Sequence, residues 1–462
     1  MKATGNESAG YRAIWRWHFY AGLFCVPFII WLACTGAFYL WKPQVEALID
    51  RPYDHLAYSG PARLPADQVR AAVAAVPGSA FRRYQLPADD HQAARVIVAR
   101  DGEAIRVYVH PRTLAILKTV KEDDRLMQIV FRLHGELMMG DRGSYVVELA
   151  ASWAIVMILT GLYLWWPRGR GPAGVVWPRL SGRGRIRWRD LHAVTGFWIS
   201  FFALFLLLSG LPWTKSWGAY FREMRVLTGT AVARQDWPSG SAPRAGEDHA
   251  GHEGHMEHME HGGGAMAAMR MGTGAGVSTG YGAIDLVAAA ARQLDFAAPV
   301  MLAPPAKPGG AWTVASEAQN RPLRATATID PASGGVVTRE DFSQRHVIDR
   351  AVGYGIAAHE GQLFGLANQL LSSFVAIGLC LLSASAYVMW WRRRPRGRLG
   401  APCRHPGDRL PRAAKISGVL LGIALPLFGA SALVLLAVDR FVTRRPARAA
   451  PGSGPQGAPS PD

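Results

Sequence analysis

The chain has 462 residues, 50% of them hydrophobic, and a formal net charge of +17; it is too long for one ordinary domain, and its apolar residues gather in stretches that a soluble core does not need. The arginines behind that charge cluster beside the apolar stretches, where membrane orientation requires them, so the basic balance excludes nucleic acid as a partner. Of four cysteines, Cys25, Cys34 and Cys380 lie inside apolar stretches and Cys403 stands alone in an arginine-rich loop, which excludes a disulfide framework or a Cys-x-x-Cys site.

In chain order, residues 1–17 form a basic N-terminus and 18–41 a first span, long enough for a hydrocarbon core that takes about 20 helical residues. No small-residue cleavage site precedes Trp41-Lys42-Pro43, so this helix is retained rather than removed as a secretory signal. Residues 42–143 make a first outer module, with an amphipathic helix at Leu64–Val76, strand-like alternation at Arg95–Val98 and Ile105–Val109, and a turn at His110-Pro111-Arg112. A second span (144–167), a basic loop (168–190) and a third span (191–213) follow. Residues 214–280 are a second outer loop with a low-complexity insert, and 281–362 a second module with a helix at Ile284–Leu294, strands at Trp312–Ala315 and Leu323–Ile329, and a turn at Asp330-Pro331. The fourth span (363–391), a second basic loop (392–414), a fifth span (415–438) and a disordered tail (439–462) complete the chain.

The predicted fold is therefore a membrane α-helical protein of about five transmembrane helices, built from two tandem helix-loop-helix repeats plus one extra helix, with two small α+β extracytoplasmic modules. Lysines and arginines place the N-terminus and both basic loops in the cytoplasm, as expected for a multi-pass protein of a bacterial cytoplasmic membrane. An odd number of spans then puts the tail outside, against the grain of Arg440, Arg444, Arg445 and Arg448.

The repeat carries four histidines in register. His18 opens the first span, with Gly22 one turn on and Thr35-Gly36 near its end; His192 opens the third, with Gly196 and Ser209-Gly210 at the same offsets. His134, in HGELMMG, precedes the second span, and His359, in HEGQLFG, precedes the fourth; a glycine follows each at six residues and a tryptophan pair at thirty-one and thirty-two. The bundle thus offers one histidine pair on each side. Paired imidazoles on facing helices suit axial coordination of haem iron, and Gly22 and Gly196 let a flat macrocycle approach the backbone. A single histidine at a helix end is more often a cap, but four in register, at or within a membrane where ionisable groups are costly, point to ligation.

The low-complexity insert holds His249, His252, His255, His258 and His261 at every third residue, with Met256, Met259, Met266, Met269 and Met271 interleaved. Imidazole and thioether together suit copper, though other metal ions bind histidine runs as well. The glycine and serine around it make this a flexible capture loop or linker rather than a preformed catalytic site.

At WRWHFYAGLFCVPFIIWLACTGAFYLWKP, and again around His134 and His359, the chain resembles the PepSY-associated transmembrane family, which includes iron-regulated membrane proteins and ferric-siderophore reductases. The resemblance runs from about Ile14 to Arg394 and makes both outer modules look like divergent PepSY domains. It implies two haems b, each bis-histidine, with His18, His192, His134 and His359 as axial ligands. The expected function is electron transfer from a quinol or a separate cytoplasmic reductase to an extracytoplasmic metal complex, a ferric siderophore or Cu(II). A separate donor is needed because no Gly-rich dinucleotide fingerprint is present. Two readings of other classes stand beside it: a non-enzymatic copper-handling membrane protein, and a regulatory protein whose PepSY-like modules bind an extracytoplasmic partner.

Overall fold

The computed structural model describes residues 5–167, 173–179, 184–231, 281–397, 399–400 and 407–443. The His/Met-rich insert and the expected disordered tail beyond 443 lie outside the described residues. The first unit runs α1 (Gly5–Tyr39), α2 (Lys42–Asp54), α3 (Pro65–Ala75), four strands β1 (Ala80–Leu86), β2 (Ala94–Arg100), β3 (Glu103–Val109) and β4 (Ile116–Lys121), then α4 (Leu126–Glu136) and α5 (Asp141–Trp165). The second repeats the order with α6 (Arg185–Gly210), α7 (Lys215–Leu227), α8 (Ala283–Arg292), β5 (Val300–Ala303), β6 (Trp312–Ser316), β7 (Ala325–Ile329), β8 (Val336–Asp341), α9 (Val347–His359) and α10 (Leu366–Arg393). Two shorter helices end the described chain, α11 (Arg412–Ala424) and α12 (Pro426–Thr443).

Four helices are long and apolar enough to cross a membrane, at Ala9–Tyr39, Asp141–Trp165, Arg185–Trp213 and Leu366–Arg393, with mean hydropathy of 1.8 to 2.0. They are α1, α5, α6 with its short 3₁₀ extension, and α10. The fifth apolar stretch is not the single rod its length suggested. Pro426 lacks the amide hydrogen that would continue the helix, and Leu425 leaves helical geometry just before it. Residues seven apart in a straight helix are separated by roughly 10 Å of rise. Here a Cβ added to Gly422 would sit 3.4 Å from the Gly429 Cα, and one on Gly429 2.5 Å from the Gly422 carbonyl oxygen. The stretch therefore folds back sharply, with Leu425 and Phe428 at the bend buried against Ala21, Cys25 and Trp153.

The two outer modules are one layer rather than two. Their strands form a continuous antiparallel sheet in the order β4-β3-β2-β1-β5-β6-β7-β8, joined where Tyr84, Gln85 and Leu86 face Leu302, Met301 and Val300. Helices α3 and α8 cover the same core, in which Val69, Val96 and Val107 from the first unit meet Ile284, Leu302 and Val314 from the second. The Asp285 carboxylate, on α8, accepts the Ala66 amide of α3 at 2.9 Å, which ties the two helices across the pseudo-twofold seam.

Each unit ends its outer layer with a helix that hooks into the next span. In α4 the chain leaves the helix through Leu137 and Met138 in the left-handed region, and Gly140 starts α5 at φ 59°, ψ −137°. In the second unit Gly365 starts α10 at φ 56°, ψ −135°. That backbone region is essentially reserved for glycine, which explains why both histidine motifs close on one. Separate anchors hold the hooks. Arg125 pairs with Glu46 of α2 at 2.8 Å and with Glu122 at 3.0 Å, whereas Arg225 of α7 makes a buried two-pronged pair with Asp349 of α9 at 2.7 and 2.9 Å.

Candidate functional site

The four repeat histidines come together as two pairs, at opposite ends of one cavity between the spanning helices. The rings of His134, at the end of α4, and His359, at the end of α9, lie 6.4 Å apart, centre to centre, on the side of the outer sheet. His18 of α1 and His192 of α6 form the second pair, within electrostatic reach of each other near the arginine-rich helix ends. All four histidines line the cavity, which holds about 1230 Å³. Typical small-ligand pockets hold about 300–1,000 Å³.

Every histidine is fixed by a hydroxyl on a neighbouring helix. His134 Nδ1 lies 3.0 Å from Thr35 Oγ1, His359 Nδ1 3.0 Å from Ser209 Oγ, and His18 Nδ1 3.0 Å from Thr160 Oγ1. His192 Nδ1 lies 3.1 Å from the Leu382 carbonyl oxygen and 3.3 Å from Ser385 Oγ. The hydroxyls are committed elsewhere as donors: Thr35 to the Trp31 carbonyl at 2.8 Å, Thr160 to Val156 at 2.9 Å, Ser209 to Phe205 at 2.7 Å and Ser385 to Leu382 at 2.8 Å. A hydroxyl has one hydrogen, so it must accept from the ring. Leu382 makes the same demand, because a carbonyl oxygen only accepts. Each Nδ1 therefore carries the proton, and each Nε2 keeps its lone pair for a metal.

The glycines beside those hydroxyls have a steric role. A Cβ on Gly36 would meet His134 Cε1 at 3.0 Å, on Gly161 His18 Cε1 at 3.1 Å, and on Gly210 His359 Cε1 at 3.2 Å. These residues admit the imidazoles themselves. Gly22 and Gly196, expected to admit a macrocycle, also line the cavity, but the space beside Gly196 is taken by Leu382 Cδ1, 3.0 Å from where its Cβ would stand.

Thr160-Gly161 and Ser385-Ala386 were not singled out in the sequence. The signal was available, since both hydroxyls stand twenty-six residues beyond His134 and His359, respectively. Burial pushes His134 and His359 down to about 4, with each other's proximity adding to the effect at His359, so both rings are neutral at pH 7 and able to ligate.

The arrangement fits an axially ligated metal macrocycle. An imidazole–metal–imidazole axis with metal–nitrogen bonds of about 2 Å, and ring centres roughly 1 Å behind the nitrogens, spans about 6 Å. The 6.4 Å between His134 and His359 matches that span. Trp213 stands edge-on to His359 at 5.7 Å and closes the site on that side. Among the described residues no group of three or more His, Cys, Asp or Glu gathers as a separate metal centre. His249, His252, His255, His258, His261, Met256 and Met259 fall outside the described residues. The family model described as the PepSY-associated TM region matches residues 15–393, and no curated protein matches the chain.

Proposed function

The chain belongs to the PepSY-associated TM region family, and on that premise we propose that it is a transmembrane electron-transfer protein with two bis-histidine haems b. Electrons come from a quinol or a separate cytoplasmic reductase, and the acceptor is an extracytoplasmic metal complex, a ferric chelate or Cu(II). The observation that carries the reading is the pair of neutral imidazoles, Nδ1-protonated and 6.4 Å apart, inside a cavity that holds a second histidine pair at its other end.

When bound, each haem would supply a one-electron carrier, and two histidines holding each would favour electron transfer over oxygen activation. The protein's residues do the rest. His134 and His359 would hold one macrocycle and His18 and His192 the other. Thr35, Ser209, Thr160 and Ser385 set the tautomer and the ring orientation. The apolar walls contributed by α1, α5, α6 and α10 exclude water, which lowers the reorganisation that a change of iron charge demands. Reduction of the acceptor changes its ligand preference and so loosens its complex. The methionine and histidine insert favours copper as one such acceptor, and the metal complex is substrate rather than resident cofactor.

Proteoliposomes with a quinol analogue inside and a ferric chelate or Cu(II) outside test this reading. Reduction of the external metal should depend on the protein and fall at least a hundredfold in His134→Ala, about the loss expected when an essential metal ligand or its supporting shell is removed. An unchanged rate in His134→Ala would overturn it.

A further inference from the structure

We propose that Arg185, Arg392 and Arg393 form a carboxylate clamp at the basic end of the cavity, and that it takes the propionate carboxylates of the macrocycle held by His18 and His192. This rests on the preceding reading and adds an orientation to it: the charged edge of that macrocycle faces the cytoplasmic side.

Three observations lead there. All three guanidinium side chains line the cavity that contains His18 and His192. Among the described residues no acidic side chain pairs with any of them, although the neighbouring Arg189, in the same lining, is matched by Asp190 at 2.6 Å. Arg185 and Arg393 stand close enough to repel each other. Membrane orientation explains arginines near headgroups, but not the gathering of three exposed ones on the rim of one cavity with no carboxylate between them, Arg393 donating, within the described residues, only to the Gly400 carbonyl at 3.3 Å.

The surroundings are shaped for a planar, charged guest. The Arg393 guanidinium lies 5.1 Å from the ring centres of both Trp15 and Phe19, and that of Arg392 6.0 Å from Trp188, so the aromatic faces hold the cations in place without neutralising them. The Trp188 indole N–H lines the same end of the cavity, buried and without an acceptor. A pair of carboxylates supplies acceptors for the arginines and for this N–H at once. The opposite end of the cavity is lined by Glu136 and Glu360 and would repel them.

The test uses the full-length protein in detergent, stripped of haem and titrated with haem or with its dimethyl ester, which has no carboxylate. Wild type should hold haem more tightly than the ester at the His18/His192 site, and Arg392→Gln with Arg393→Gln should weaken haem there by about tenfold for each guanidinium lost, without weakening the ester. The reduction midpoint of the same site should fall in the variant, since positive charge near the iron favours the ferrous state, and Arg→Lys at both positions should restore part of the shift. Equal affinity of wild type for haem and ester would overturn the clamp and leave the dihaem reading standing. Loss of co-purifying phospholipid phosphate from the variant, with haem retained, would overturn it too and assign the arginines to an anionic lipid headgroup. Wild type that takes up neither compound would remove both the clamp and the reading beneath it.

Discussion

Thr35, Ser209, Thr160 and Ser385 decide which nitrogen of each histidine is free, and they do so through the one hydrogen each hydroxyl gives to its own helix. Removing one leaves an imidazole N–H with a poorer partner and a ring free to turn. Ser209→Ala should therefore weaken haem at the His134/His359 site by about 10- to 100-fold, the usual cost of losing a residue that orients a metal ligand. The His18/His192 site should keep its affinity. Titration of apoprotein with haem, read at the Soret band, distinguishes the two sites and would count against the tautomer argument if Ser209→Ala bound haem as wild type does. At this scale the sequence was informative because histidine is scarce in spans and the repeat put four in register. Thr160 and Ser385 stayed hidden because the hydroxyl-glycine pair is not repeated there, Thr160-Gly161 standing against Ser385-Ala386, and a hydroxyl in an apolar run otherwise reads as a residue bonded to its own backbone.

The hooks α4 and α9 bring the sheet-side histidines into the cavity, and they are held by ion pairs that differ between the repeats. Burial raises the Glu122 carboxyl, but Arg106 and Arg125 outweigh it and hold it below its usual range. A depressed carboxyl contributes stability that is present above its unfolded value, near 4.5, and is lost as pH falls through the folded one. The outer layer should accordingly lose stability below about pH 4.5, and Glu122→Gln should flatten that part of the pH profile while lowering the melting temperature at pH 7. Circular dichroism melts at a series of pH values check both. An identical acid limb in the variant would rule out this pair as its cause. The helices α4 and α9 were not foreseen, since their apolar faces merge in the sequence with the spans that follow. The glycines that end them were noticed, but their φ near +57° is a property of the backbone that only the fold reveals.

Over the whole molecule, repetition was legible and its consequences were not. The sequence showed two outer modules, each with a helix and strands, because amphipathic periodicity is local. It did not show that β1 and β5 join them, because that ladder is three residue pairs long and connects segments more than two hundred residues apart. The fifth apolar stretch has the length of a span, and the break at Pro426 shows only in the fold. Four described helices are long and apolar enough to cross, and an even number of crossings predicts a C-terminus on the side of the basic loops, in keeping with the arginines of the sequence after Val438. A C-terminal fluorescent-protein fusion should therefore be bright and a C-terminal alkaline phosphatase fusion inactive; the reverse pattern would restore a fifth crossing.

The most direct test of the central claim is the visible spectrum of the purified protein, oxidised and dithionite-reduced, with haem quantified as the pyridine haemochrome in wild type and in alanine variants of His18, His192, His134 and His359. The account predicts about two haems b per chain, with one lost when either member of a pair is replaced. A colourless protein that takes up no added haem, or one whose haem survives all four substitutions, would contradict it.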